Sequence, residues 1–183
     1  MTQTSTPPNR PSRILLIGSG GAGKSTLAIQ LGAVLRLPVI HLDRHYWTAN
    51  WVEPSKADWE RTVRQLIARP SWVMDGNYGG TMDLRIVRAD TIVFLDRPRY
   101  LAIYRVLKRW WYHRGQHRPD MAPGCRERLN WEFLHYVFHY RYTRRPGILQ
   151  KLARVADRKR VIVLTTEREV QQFMEEMQGL ATP

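Results

Sequence analysis

The sequence predicts an α/β protein built on an open parallel sheet, and three observations carry that prediction. Five short apolar runs recur along the chain. Stretches of helical or irregular character separate them. The first run breaks into glycines and a lysine, then resumes with helical spacing, in "LLIGSGGAGKSTLAIQL". Alternation of strand and helix of this kind implies right-handed crossovers between parallel strands.

The runs are "RILLIG" (13–18), "PVIHLD" (38–43), "SWVMDG" (71–76), "TIVFLD" (91–96) and "RVIVLT" (160–165). Each is nearly all apolar, the pattern of strands covered on both faces. Between the second and third, Ser55 is a candidate N-cap with Asp58 three residues on. Trp59, Val63, Leu66 and Ile67 make an apolar stripe behind it. Helices are also expected over 99–112, 131–142 and 168–177. Residues 110–132 hold Gly115, Pro119, Pro123 and Gly124, so no long helix crosses them, and the segment reads as a lid or insert. The polar residues 1–12 lack an apolar core and read as a disordered tail, which leaves 13–183 as one domain.

Composition narrows the setting. No stretch approaches about 18 consecutive apolar residues, so no membrane span is expected. Cys125 stands alone, which excludes an internal disulfide framework and makes a cytoplasmic location the default expectation. The net charge of +13 is concentrated: residues 97–160 hold 17 Lys and Arg against 4 Asp and Glu, and the rest is neutral. An anionic partner is implied.

Gly18, Gly23, Lys24 and Ser25 satisfy G-x-x-x-x-G-K-[ST], and Gly20 and Gly21 make the loop denser in glycine. Glycines let successive N–H groups curl around β-phosphate oxygens, and the helix that begins near Lys24 points its dipole at the same anion. Lys24 then reaches the β- and γ-phosphates, and the Ser25 hydroxyl ligates Mg²⁺. A nucleoside triphosphate, read as ATP, is expected on Gly18, Gly20, Gly21, Ala22, Gly23, Lys24, Ser25 and Thr26. Asp43, Asp75 and Asp96 each end an apolar run, on the sheet edge where ligands bind in such folds. Asp75, followed by Gly76, is the first candidate for orienting Mg²⁺ and Asp96 the second. Arg105 and Arg109 lie four apart on one helical face, where they can clamp a transferring phosphoryl group. Arg114, Arg118, Arg126 and Arg128 could join them from the insert.

"GSGGAGKST", "DGNY" (75–78) and "RVLKR" (105–109) resemble the P-loop, the D-G-x-x segment and the R-x-x-x-R lid of the nucleoside monophosphate kinase superfamily. With "HLDRHYW", "WVMDGNY", "LRIVRADTIVFLDRPR" and "GCRERLNWEFLHYV", the resemblance extends to adenylate-kinase-related proteins labelled DNA topology modulation proteins. It implies a three-layer P-loop kinase fold with strand order 2-3-1-4-5, an ATP site and a mobile lid. It also implies that the adenine rests after Thr165 and Thr166. Monophosphate kinases usually place an arginine just after the D-G pair. Here Asn77 and Tyr78 follow it, and Arg85 and Arg88 are the nearest substitutes.

The reading is thus an ATP-dependent phosphotransferase that uses Mg²⁺ and works as a monomer or homodimer. It moves the γ-phosphoryl group to a small anionic acceptor, phosphorylated or nucleotide-like. The abundance of arginine favours that acceptor over the alcohol of a small-molecule alcohol kinase. If the acceptor is an alcohol it needs a base, for which Asp43 is the candidate. Tyr46, Trp47, Trp51 and Trp59 either line an acceptor pocket or seat the helix after Pro54 on the sheet. The alternative class is a nucleic-acid-binding regulator, drawn from the basic segment and its Trp110, Trp111, Tyr112, Trp131 and Tyr136. The pairs His113/His117 and His135/His139 flank Cys125 but read as packing or surface histidines rather than a zinc site.

Overall fold

Each apolar run becomes a strand in the computed structural model, which describes residues 10–114, 122, 124, 125 and 130–181. The strands are β1 (Arg13–Gly18), β2 (Val39–His41), β3 (Trp72–Asp75), β4 (Thr91–Leu95) and β5 (Arg160–Leu164). They form one sheet of order β2-β3-β1-β4-β5, with every pair parallel. The middle strand, β1, is sealed: Ile14, Leu15, Leu16 and Ile17 are all 0% exposed. Alternation along it divides the core. Ile14 and Leu16 join α1 (Lys24–Leu35) and α8 (Glu167–Ala181) on one face. Leu15 and Ile17 join α3 (Lys56–Ile67), α4 (Met82–Arg88) and α7 (Arg145–Ala153) on the other. That is the three-layer arrangement expected.

Local chemistry explains the clearest elements. Asp58 N donates to Ser55 Oγ at 3.1 Å, the expected cap of α3, and Trp59, Val63, Leu66 and Ile67 are all buried. The remaining helices are α2 (Leu42–Tyr46), α5 (Arg99–His113) and α6 (Trp131–Thr143). α5 and α6 pack on each other through Ala102, Val106 and Val137.

Several elements differ from the sequence reading. β2 stops at His41, which pairs with the last residue of β3, so Asp43 falls in the first turn of α2 and not at a strand end. The short helices α2, α4 and α7 carry too few turns to show a stripe in sequence. α8 runs longer than 168–177 at both ends. β5 lies at the sheet edge, where Val163 is 42% exposed, so it is not covered on both faces. Residues 1–9 of the expected tail lie outside the described residues. Ser12 is fixed, its N and Oγ donating to Asp90 Oδ2 at 3.1 and 2.8 Å. Most of the expected insert at 110–132 also lies outside them, though α5 and α6 enter it from both sides. Among the described residues, no helix is long and apolar enough to cross a membrane.

Because all strands are parallel, Gly18, His41, Asp75, Leu95 and Leu164 share the carboxyl edge of the sheet. The register brings Gly18 level with Leu95, and Asp75 level with both Leu16 and His41.

Candidate active site

The loop between β1 and α1 is shaped by glycine on both of its sides. Gly21 and Gly23 have φ of 75° and 97°, a region that L side chains rarely adopt. A Cβ on Gly20 would stand 2.4 Å from Phe133 Cζ, and one on Gly21 would stand 2.2 Å from the Ala102 carbonyl oxygen. The glycines therefore admit α5 and α6 from outside as well as freeing the amides inside. No side chain caps α1, and its first turn carries no acid. A helix N-terminus without such partners is the arrangement that suits an anion. Lys24 Nζ folds back over the loop, donating to the Gly18 and Ser19 carbonyl oxygens at 2.9 and 2.8 Å.

The turn after β3 ties this loop to the other half of the site. Asp75 is 4% exposed and accepts at 2.9 Å from His41 Nδ1, in the tautomer that protonates that nitrogen. Gly18 N donates to Asn77 Oδ1 at 3.2 Å, while Asn77 Nδ2 donates to the Tyr136 hydroxyl on α6 at 3.0 Å. Tyr78 donates its hydroxyl to Asp43 Oδ1 at 2.5 Å. Burial and the Asp43 charge push the Tyr78 hydroxyl pKa well above its ordinary value. Four carbonyls of this turn are gathered by Arg85, which is fully buried. Its Nη1 donates to Gly76 O at 2.7 Å, and its Nη2 to Asn77 O and Tyr78 O at 2.6 and 2.8 Å. Its Nε reaches Thr81 O at 3.3 Å. Burial lowers its pKa to about 10, which leaves it charged at neutral pH.

This geometry removes both substitutes for the missing arginine. Arg85 has its donors on the backbone. Arg88 donates to Ile67 O at 3.2 Å, just ahead of β4 and β3, at the amino edge of the sheet. Asp96 is engaged as well, accepting from Arg145 Nε at 2.7 Å.

Arg105 lies over the loop, its Nη1 3.5 Å from where a Cβ on Gly23 would stand. Its Nη2 donates to Glu167 Oε2 at 3.1 Å. The same carboxylate oxygen accepts from Arg97, a buried side chain whose Nη1 donates to Thr165 O at 3.1 Å. Arg109, one turn along α5, is half-buried, and Arg114 is exposed beside the Trp111 ring. Arg118, Arg126 and Arg128 lie outside the described residues. The turn where adenine is expected is closed by Glu169 Oε2, which accepts from Thr165 N, Thr166 N and Thr165 Oγ1 at 2.5, 3.0 and 2.9 Å.

The far end of the site is aromatic. Tyr46 meets Trp59 and Tyr78 at ring distances of 4.9 and 4.4 Å, and Trp47 meets Trp51 at 5.3 Å. Trp59 is buried where it seats α3, and it also touches the Tyr78 ring. Ala122 and Cys125 pack on Trp47 and Trp51, and Cys125 Sγ donates to Thr48 O at 3.2 Å. His135 and His139 stack on each other on α6, whereas His117 lies outside the described residues. Among the described residues, no group of three His, Cys, Asp or Glu side chains could hold a metal ion by itself.

Sequence reasoning missed His41, Tyr136, Arg97 and Glu167 as parts of this site. His41 alone carried a signal, a polar residue interrupting an apolar strand.

No protein-family model and no curated protein matches the chain. Solved structures do. A shikimate kinase from Acinetobacter baumannii in complex with shikimate superposes with a TM-score of 0.58 at 17% identity, covering 92% of each chain. A shikimate kinase from Bacteroides thetaiotaomicron gives 0.51 at 19% identity, over 93% of this chain and 98% of that one. A gluconokinase from Sinorhizobium meliloti gives 0.51 at 14%, over 94% and 93%. The fold is that of P-loop kinases.

Proposed function

We propose that this chain is an ATP-dependent phosphotransferase that moves the γ-phosphoryl group of ATP to a hydroxyl of a small acceptor. The carrying observation is the loop at Gly18–Lys24: an uncapped helix N-terminus, glycines in left-handed geometry, and a lysine resting on that loop's own carbonyls. A triphosphate supplies better acceptors for Lys24 than two neutral carbonyls do. Ser25 and Asp75 fit a Mg²⁺ ion, a hard cation that takes oxygen ligands: one is a hydroxyl, the other a carboxylate with one oxygen on His41. When bound, that ion neutralises charge on the β- and γ-phosphates.

The acceptor reading follows from which arginines are engaged. A phosphorylated or nucleotide-like acceptor needs cations, and Arg85 and Arg88 both donate to backbone carbonyls instead. An alcohol needs a base, and Asp43 stands at the aromatic end, oriented by the Tyr78 hydroxyl. The acceptor oxygen gives its proton to Asp43 as the new O–P bond forms. The bond between the γ-phosphorus and the bridging oxygen breaks, and ADP departs. Arg105 offsets the charge on the equatorial oxygens, and the rings around Tyr78 exclude water. Three of the structural neighbours are kinases named for shikimate or gluconate rather than for nucleotides.

A coupled ADP-release screen over hydroxy acids, sugars, polyols, nucleosides and nucleoside monophosphates tests this. Turnover is expected with a hydroxylated acceptor and not with the monophosphates, and Lys24→Ala is expected to abolish it. A Lys24→Ala protein with undiminished turnover would sink the proposal. A nucleic-acid-binding regulator remains the second reading, supported by exposed Tyr104, Trp111, Tyr112 and Trp131 among the cations of α5 and α6. It requires DNA affinity that falls steeply with salt in a gel-shift titration.

A further inference from the structure

We infer that Glu167 is a positioning residue for Arg105, fixing which end of that guanidinium faces the phosphates; this rests on the ATP-site reading above. The two ends of Arg105 are used differently. Nη2 donates to Glu167 Oε2 at 3.1 Å, and Nη1 lies 3.5 Å from the Cβ position of Gly23, against the phosphate loop. A guanidinium is a rigid planar fork, so tying one nitrogen sets the direction of the other.

Glu167 can do this because it is itself anchored. Its Oε2 also accepts from Arg97, whose side chain is 2% exposed and whose Nη1 holds the Thr165 carbonyl at 3.1 Å. Arg97 is fixed by burial in the turn between β4 and α5. Arg105, by contrast, has a side chain 32% exposed on a helix surface. Without a tether it samples many rotamers, and ordering it on arrival of a γ-phosphate carries the entropy of a long side chain. The pair with Glu167 is itself exposed and held by one hydrogen bond, so it orients Arg105 without locking it away from a ligand. The chain of contacts runs from Thr165, at the turn where the base is expected, through Arg97 and Glu167 to Arg105 at the phosphate loop.

A γ-phosphate-selective role separates positioning from simple structural support. Calorimetry with Mg·ADP and with the β,γ-imido analogue of ATP gives two dissociation constants, whose ratio isolates the contribution of the γ-phosphate. Glu167→Ala and Arg105→Ala are each expected to lower the analogue's affinity about three- to tenfold relative to ADP. The double variant is expected to lose no more than Arg105→Ala alone, because the tether has nothing left to orient. Where Glu167→Ala folds poorly for want of a partner for buried Arg97, Glu167→Gln keeps one acceptor oxygen for Arg97 and removes the charge from the tether. A smaller loss of the same sign is then expected, and no loss would count against the inference. An unchanged ratio, or losses that add in the double variant, would overturn the inference while leaving ADP binding intact. Absence of binding by either nucleotide in the unaltered protein would instead remove the ATP-site reading, and this inference with it.

Discussion

The two ends of the site are built from different materials. At the proposed phosphate end the chemistry is main chain: glycines at 20, 21 and 23, the amides of an uncapped helix, and one lysine folded onto its own loop. At the proposed acceptor end it is side chain: Asp43, Tyr78, and the rings of Tyr46, Trp47, Trp51 and Trp59. A backbone cradle tolerates no added atoms but recognises a group every nucleoside triphosphate shares. A side-chain wall can be changed one residue at a time, although Trp59 is also part of the core that seats α3. One fold can therefore keep its donor while changing its acceptor.

The sharpest way to break this contrast is to add a methyl group at each end. Gly21→Ala places a Cβ 2.2 Å from the Ala102 carbonyl oxygen at a φ of 75°. Left-handed strain and overpacking together are expected to cost about 2–5 kcal/mol, lowering Tm by roughly 5–15 °C and abolishing nucleotide binding. Gly80→Ala, in the turn beyond Tyr78, meets nothing within 4 Å and should change stability by less than about 0.5 kcal/mol. Thermal unfolding of both variants checks this. Equal losses at the two positions would contradict it.

Next in size is Asp43→Asn. Loss of the proposed general base is expected to slow acceptor-dependent turnover by about 10²–10⁴, with Mg·ADP affinity unchanged by calorimetry. A variant that also loses nucleotide would mean that the two ends are not separable as described.

Arg85→Met examines the seam between them. The change strips four carbonyls of a buried charged donor. A loss of about 2–4 kcal/mol in denaturant unfolding is expected. Arg88→Ala, which loses one hydrogen bond at the opposite sheet edge, should stay within about 1 kcal/mol.

How much of this was legible in sequence follows from the same contrast. The phosphate loop is contiguous, so its glycines and lysine announce themselves. The cap and stripe of α3 are equally local, and Ser55, Trp59 and Val63 behave as their spacing says. The rest of the candidate site is assembled across the chain. Tyr78 reaches Asp43 over 35 positions, Asn77 reaches Gly18 over 59, and Arg105 reaches Glu167 over 62. No local pattern encodes those distances; the sheet order creates them. Arg85 shows the cost of counting residue types alone. It reads as a spare cation in sequence and becomes a buried brace in three dimensions.

Glu169 provides the smallest effect and the finest comparison. The amides of Thr165 and Thr166 form a second cluster of main-chain donors at the same sheet edge, but here the protein fills it with its own carboxylate. Those amides hold the Glu169 pKa below its ordinary value. Since the folded pKa is the lower one, the stabilisation is fully present above the unfolded value and is lost as pH falls through the folded one. Glu169→Gln should therefore show a slightly lower Tm than the unaltered protein at pH 7. The gap should close between the ordinary glutamate range near pH 4.5 and the more acidic folded value. A gap that persisted unchanged down to pH 3 would mean that the carboxylate charge is not what closes the turn. In that case the resemblance between this self-filled cluster and the phosphate loop would be one of shape, not of electrostatics.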